Sequence, residues 1–248
     1  MTKRKKIFFI STISVLIIIL ASSLYLSRPV LEPKVLDNTG DCVVLVHGFL
    51  ATPVFMDNMA EFLNKNSYRT VNIDYPSSQY DIEVISEKYL EPAVTEYCED
   101  EKIHFVTHSM GGLVLRYYLK NNQPEDLGRI VMLAPPNKGS EIANILNREG
   151  LGKVALGPAL TELETGYQDE LPSIDIKGIE IGIIAGNTSL EPIKPYIIPG
   201  EDDGLVSVES TKLANMTDFI VLPVGHTLMP TNSAVKNHTL NFLNNGKF

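Results

Sequence analysis

Apolar and polar positions follow two regimes along most of the chain. Short runs rich in Val and Ile are apolar at nearly every position. They cover Cys42–Val46 and residues 70–73, 103–106, 130–133, 179–185 and 219–224. Runs of that length, apolar on both faces, predict strands of a parallel sheet covered by helices on either side. Between them lie stretches with helical spacing. Thr52 and Pro53 stand in the N-cap and first-turn order that opens a helix. Asp81 opens another, where Ile82, Ile85, Leu90, Val94 and Tyr97 form one apolar stripe. Pro92 is expected to kink or split it. Residues 109–119 and 231–243 predict two more helices. This alternation from Asp41 onward predicts a single α/β domain, residues 41–248, with about six mostly parallel strands.

One interval breaks the rhythm. Between Ala134 and Ile179 lie 44 residues, more than one crossover helix needs. Residues 139–147 are expected to form that helix. Residues 150–171 are then surplus, with Leu151, Leu156, Leu160 and Leu163 on a loosely helical spacing. They read either as a surface insertion packed on the core or as a small lid or pocket wall.

The start of the chain follows a third pattern. Lys3, Arg4, Lys5 and Lys6 precede any acid, and Ile7 to Leu26 is a 20-residue run without a charge, 15 of them apolar. As a helix it would span about 30 Å, the thickness of a bilayer core. Residues 1–27 are therefore expected to be a membrane anchor. A cleaved secretory signal is the alternative, since Ala21, Ser22 and Ser23 are small enough for a cleavage site. Either way the basic cluster stays inside and the remainder lies outside the cytoplasm. Residues 28–40, with Pro29, Pro33 and Gly40, read as a linker.

Charge narrows the partners. The chain carries 21 Lys and Arg against 30 Asp and Glu, which argues against a nucleic-acid binder. Without the first 27 residues the balance is 17 against 30, so anionic lipid offers the domain no attraction and attachment must come from the apolar run. Two cysteines are too few for a disulfide scaffold or a Cys-rich zinc module. No metal or phosphate-cradling motif occurs, and no cofactor is expected.

The chemistry concentrates in Lys102-Ile103-His104-Phe105-Val106-Thr107-His108-Ser109-Met110-Gly111-Gly112. A strand runs into a tight turn and an apolar helix, which puts Ser109 at the apex with its hydroxyl exposed at a helix N-terminus. Gly111 supplies the small neighbour on the far side, while Thr107 stands where Gly-x-Ser-x-Gly has its first glycine. Upstream, the strand Cys42–Val46 ends in His47-Gly48-Phe49. Glycine there lets the backbone turn, so the N–H groups of Phe49 and Met110 form a candidate oxyanion hole. A serine hydroxyl needs an adjacent base. Of five histidines, His47 and His108 read as packed beside the motifs, His104 lies in a strand, and His238 is expected to be exposed in the last helix. His226 follows the final strand on a Gly-flanked loop, at the sheet edge where Ser109 also lies. Asp203, before Gly204, is the candidate for holding the imidazole tautomer, with Asp202 as its rival. Asp74 ends a strand and reads as a carboxylate that satisfies loop backbone. The loop 135–140 lies on the same edge and reads as pocket lining.

These pieces resemble the small α/β-hydrolases of the bacterial lipase and esterase type. The matching segments are Leu45 to Phe49, Thr107 to Gly112, Asp203 to Val206 and Gly225 to Thr227. The resemblance implies a sheet with the His-Gly strand between the second strand and the serine strand, and the chain order Ser109, Asp203, His226 for a catalytic triad. Larger members have two further N-terminal strands, for which residues 28–40 leave no room. The implied reaction is hydrolysis of a small-molecule or lipid ester through an acyl-enzyme. A thioesterase or lipid acyltransferase on the same triad, or a non-catalytic envelope protein of this fold, are the alternatives. Cys42 begins the His-Gly strand and Cys98, at the end of a helix, lies just ahead of the serine strand. In the implied sheet order these two strands are neighbours, and both cysteines fall at the edge away from the site. They are then a possible disulfide; two separate thiols are the other reading.

Overall fold

In the computed structural model, residues 28–148, 151–167, 169–174, 177–189 and 198–248 are described. Seven strands form one sheet: β1 (Lys34–Leu36), β2 (Cys42–Val46), β3 (Arg69–Asn72), β4 (Ile103–His108), β5 (Leu127–Leu133), β6 (Ile181–Gly186) and β7 (Asp218–Leu222). Their spatial order is β1-β3-β2-β4-β5-β6-β7, and every pair is parallel except β1 with β3. The His-Gly strand β2 thus lies between the second strand of the core sheet and the serine strand β4, as expected.

The sheet separates two apolar layers. Successive side chains of a strand point to opposite faces, and β2 shows the result. Val44 and Val46 join Phe105, Ile130 and Ile183 on one face, while Val43 and Leu45 join Val106, Val131 and Ile184 on the other. Helix α1 (Val54–Lys65) covers the second face with Met56, Met59 and Leu63. The other face takes α2 (Ile82–Ile85), a π-helical turn (Ser86–Leu90), α3 (Glu91–Tyr97) and α4 (Gly111–Asn121). Pro92 neither breaks nor ends this segment. It sits in the first turn of α3, where its missing N–H costs little, and the π turn precedes it. The wide interval after β5 holds α5 (Glu141–Leu146), α6 (Leu151–Leu156) and α7 (Ala159–Glu162). Helix α8 (Ser233–Asn245) closes the chain on the α1 face, with Asn232 capping it through Ala234 N and Val235 N.

Two expectations need correction. Residues 28–40 are not wholly a linker, because β1 pairs Val35 with Val71 and adds an antiparallel edge strand. There is room for one further strand before Asp41. Three residues between Pro33 and the turn at Gly40 carry too little pattern to announce it. The serine strand also runs two residues longer than its apolar run. Thr107 and His108 are polar, yet they are buried and continue the pairing with Met132 and Leu133. Cys42 and Cys98 are joined in a disulfide with Cα atoms 5.9 Å apart. Cys42 opens β2 and Cys98 ends α3, at the N-terminal edge of the sheet. The expected anchor, residues 7–26, lies outside the described residues. Among the described residues no helix is long and apolar enough to cross a membrane.

Candidate active site

Ser109 leaves β4 at φ +54°, a left-handed conformation rare for a residue with a side chain. Its N–H donates to Leu133 O at 2.8 Å, and its carbonyl accepts from Gly112 N at 2.9 Å. The turn is therefore tied to β5 on one side and to α4 on the other, which keeps the strained residue in place. The two glycine-bearing motifs need each other. A Cβ at Gly48 would lie 2.9 Å from Cβ of Ser109, and one at Gly111 would collide with the carbonyl oxygens of Val46 and His47. Glycine at both places lets the ends of β2 and β4 touch, which brings the turn after β2 against the serine. Thr107, where the usual pattern has its first glycine, is a buried strand residue opposite Val46.

His226 opens a short 3-10 turn, His226–Thr231, after β7. Its Nδ1 lies 2.7 Å from Oδ2 of Asp203, and its backbone N–H donates to Asp203 O at 2.9 Å. The other carboxylate oxygen, Oδ1, accepts from Leu205 N at 3.0 Å and Val206 N at 2.9 Å. Every contact turns the Asp203 carboxylate toward the imidazole. Burial pushes this carboxyl up, but the charge and hydrogen bond of His226 and the two N–H donors outweigh it, and its pKa lies below the usual value. Asp202, the rival, instead accepts from Gly204 N at 2.7 Å and shapes the turn. With Nδ1 committed to Asp203, Nε2 is the ring nitrogen left for proton exchange.

Ser109 and His226 line one cavity of about 220 Å³. Its remaining walls are mostly apolar: Phe49 and Leu50 from the turn after β2, Leu146 from α5, Leu160 from α7, and Leu205. Pro136 and Ser140 line it too, as the loop 135–140 was expected to do. The pocket wall does come from the long interval, but it begins earlier than residue 150. Ile142, Ala143 and Leu146 belong to the helix expected to be a plain crossover. Among the described residues neither Phe49 N–H nor Met110 N–H donates to a backbone acceptor. Two amides left open beside the serine are what an oxyanion hole requires.

The other histidines are placed by their partners. His108 donates from Nε2 to His226 O at 3.1 Å, and burial together with the neighbouring His226 pushes it down to about 3. It is neutral and braces the His226 backbone. His104 accepts from Arg129 N at 2.8 Å, far along β4 from the serine. His238 is half-buried rather than exposed, with its ring edge-on to Phe248. Asp74 does accept from loop backbone, Leu31 N at 2.8 Å, but Arg28 also grips it through two bonds of 2.7 and 2.8 Å. No sequence pattern linked Arg28 to Asp74, because 46 positions separate them. Among the described residues no group of three or more His, Cys, Asp or Glu could hold a metal ion.

Comparison with known proteins agrees with this architecture. Residues 41–156 match the family model of the alpha/beta hydrolase fold. No curated protein matches the chain significantly by sequence. Among solved structures, the Bacillus licheniformis lipase BlEst2 in its propeptide form is similar with 21% identity and a TM-score of 0.69, over 87% of this chain and 52% of that one. The chain thus spans about half the length of that form. The mature form of BlEst2 is similar with 22% identity and a TM-score of 0.63, over 87% of this chain and 93% of that one. A metagenomic carboxyl esterase, MGS0156, follows with 21% identity and a TM-score of 0.61, over 81% and 68%. Sheet order, serine turn and family match agree: this chain has the alpha/beta hydrolase fold, which it shares with the lipase and the carboxyl esterase named above.

Proposed function

We propose that the protein hydrolyses carboxylic esters with an apolar acyl part, using Ser109, His226 and Asp203 as a triad. The observation that carries this reading is the 2.7 Å contact between His226 Nδ1 and Asp203, in the wall of the cavity that Ser109 shares. His226 Nε2 takes the Ser109 proton as the hydroxyl attacks the ester carbonyl. The carbonyl electrons move onto oxygen, where the Phe49 and Met110 N–H groups stabilise the charge. Collapse of that intermediate expels the alcohol, which receives the proton from His226. Water then attacks the acyl-enzyme by the same route and releases the acid. Asp203 keeps the ring tautomer and favours the imidazolium. The apolar walls fit the acyl chain, and neighbours named lipase and carboxyl esterase support an ester as substrate.

The domain works outside the cytoplasm, tethered by residues 7–26. The basic start and the uncharged run support this, and a disulfide persists in such a compartment. The test is labelling with a fluorophosphonate probe together with turnover of p-nitrophenyl esters of increasing chain length. The expected result is one adduct, on Ser109, and ester turnover that Ser109→Ala lowers by several orders of magnitude while its fold persists. Equal turnover in Ser109→Ala and the parent chain would refute the reading.

A further inference from the structure

The His-Gly motif is gripped from behind by a buried charged chain that the triad does not use. His47 and Asp74 have fully buried side chains, and that of Arg28 is 18% exposed. Arg28 forks onto both oxygens of Asp74, and its Nη2 also donates to Tyr75 O at 3.0 Å. Oδ1 of Asp74 lies 3.6 Å from His47 Nε2. The other ring nitrogen of His47, Nδ1, is 2.9 Å from Gly48 O. Tyr75 holds the same residue twice more, stacking on the ring at 4.0 Å between centroids and donating its hydroxyl to His47 O.

The Gly48 contact fixes more than a side chain. A carbonyl oxygen only accepts, so the proton of neutral His47 is on Nδ1. Gly48 O belongs to the same planar peptide unit as the Phe49 N–H, and among the described residues no peptide bond is cis. In a trans unit the oxygen and the N–H point in opposite directions. Holding Gly48 O on the side of His47 therefore aims the Phe49 N–H the other way. Arg28 decides whether this persists. With Arg28 bound, the Asp74 charge is partly compensated and its pull on a proton at Nε2 is weakened. Without it, a buried carboxylate left with the Leu31 N–H but no compensating charge would face Nε2, and the cheapest relief is a proton there. In the resulting Nε2–H tautomer, two lone pairs would oppose each other between Nδ1 and Gly48 O, which pushes the peptide to turn against its remaining bond, a long one of 3.3 Å from Ala51 N.

We propose that Arg28 and Asp74 are positioning residues for the oxyanion hole, holding the His47 proton on Nδ1 and thereby orienting the Phe49 N–H. The inference rests on the ester-hydrolase reading for its catalytic consequence, but not for the tautomer itself. The charged and titratable groups facing His47 are Asp74 after β3, Arg28 before β1, Tyr75 and, from the end of β4, His108. Burial holds His47 below its ordinary pKa, Asp74 acts against that, and the Arg28 charge adds to it. Removing Arg28 thus moves the His47 pKa upward.

The experiment uses the purified full chain and the variants Arg28→Met, Arg28→Lys and, as a control, Arg69→Met. Arg69 pairs with Asp37 and Glu101 at the opposite edge of the sheet. Two readouts are taken: long-range proton–nitrogen spectra of the His47 ring, and kcat and KM against pH. In the parent chain Nδ1 should carry the proton. In Arg28→Met, proton density should move to Nε2. Its kcat should fall about 10- to 100-fold with KM nearly unchanged, since loss of one oxyanion donor costs roughly 100- to 1000-fold. Arg28→Lys restores the charge and should recover part of kcat, and Arg69→Met should match the parent. An unchanged ring tautomer in Arg28→Met, or a kcat loss equal to that of Arg69→Met, overturns the proposal. Absence of any phosphonate adduct on the parent chain overturns the hydrolase reading instead, and the ring spectra still decide the tautomer.

Discussion

At the scale of single residues, adjacent side chains of the same type do different work. Asp202 and Asp203 share burial and sequence neighbourhood, yet only Asp203 reaches His226. Asp203→Asn should lower kcat about 10,000-fold, because an amide facing Nδ1 supports the wrong imidazole tautomer. Asp202→Asn, whose side chain can still accept from Gly204 N, should stay within about tenfold of the parent. Ester turnover of the two variants checks this, and the reverse ranking would reassign the acid. His108 sets a pH dependence of folding. Its folded pKa of about 3 lies below the unfolded value of about 6.5. Below pH 6.5 the unfolded chain therefore binds a proton that the folded one refuses, and stability drops as pH falls from about 6.5 toward 3. His108→Gln keeps a donor for His226 O without the titration. Urea midpoints at pH 7 and pH 5 should differ less in that variant than in the parent.

At the scale of elements, the cavity wall is attached to the core by buried polar contacts. Glu162 ends α7 and bonds to Ile82 N at 2.7 Å and to the Tyr117 hydroxyl at 3.0 Å. One carboxyl thus joins the long interval to α2 and α4. Burial raises its pKa, against the pull of its two donors. Arg116 does similar work from α4, donating to the backbone carbonyls of Leu171 and Pro172 and to Asn137. Glu162→Ala leaves two buried donors without partners and should destabilise the fold by about 2–4 kcal/mol. Urea unfolding measures it. A loss below about 0.5 kcal/mol would mean that apolar packing alone holds this wall.

At the scale of the whole molecule, the two edges of the sheet have separate duties. The C-terminal edge carries the serine turn, the His226 turn and the Asp203 loop. The N-terminal edge carries the disulfide between Cys42 and Cys98, 56 positions apart. Closing that loop should stabilise the fold by about 4 kcal/mol in the chain-entropy model. Reduction, or Cys42→Ser with Cys98→Ser, should lower the urea midpoint while leaving kcat nearly unchanged, because the bond is remote from the cavity. Thiol counting on non-reduced, denatured chain should find none free. Two free thiols, or a large fall in kcat with full folding, would contradict this division.

The strand pattern and the two glycine motifs were legible in the sequence because each rests on local physics. Buried strands must be apolar on both faces. A serine at φ +54° and a close approach of β2 to β4 require Gly48 and Gly111. The choice between Asp202 and Asp203 was only a preference at that level, since either could precede a turn. The fold decided it, because Asp203 Oδ1 is held by two N–H groups of its own loop and Oδ2 is left for His226. Strand β1, the early start of the cavity wall, and the chain from Arg28 through Asp74 to His47 were not legible. Their partners lie tens of positions away and follow no period, so only tertiary packing brings them together.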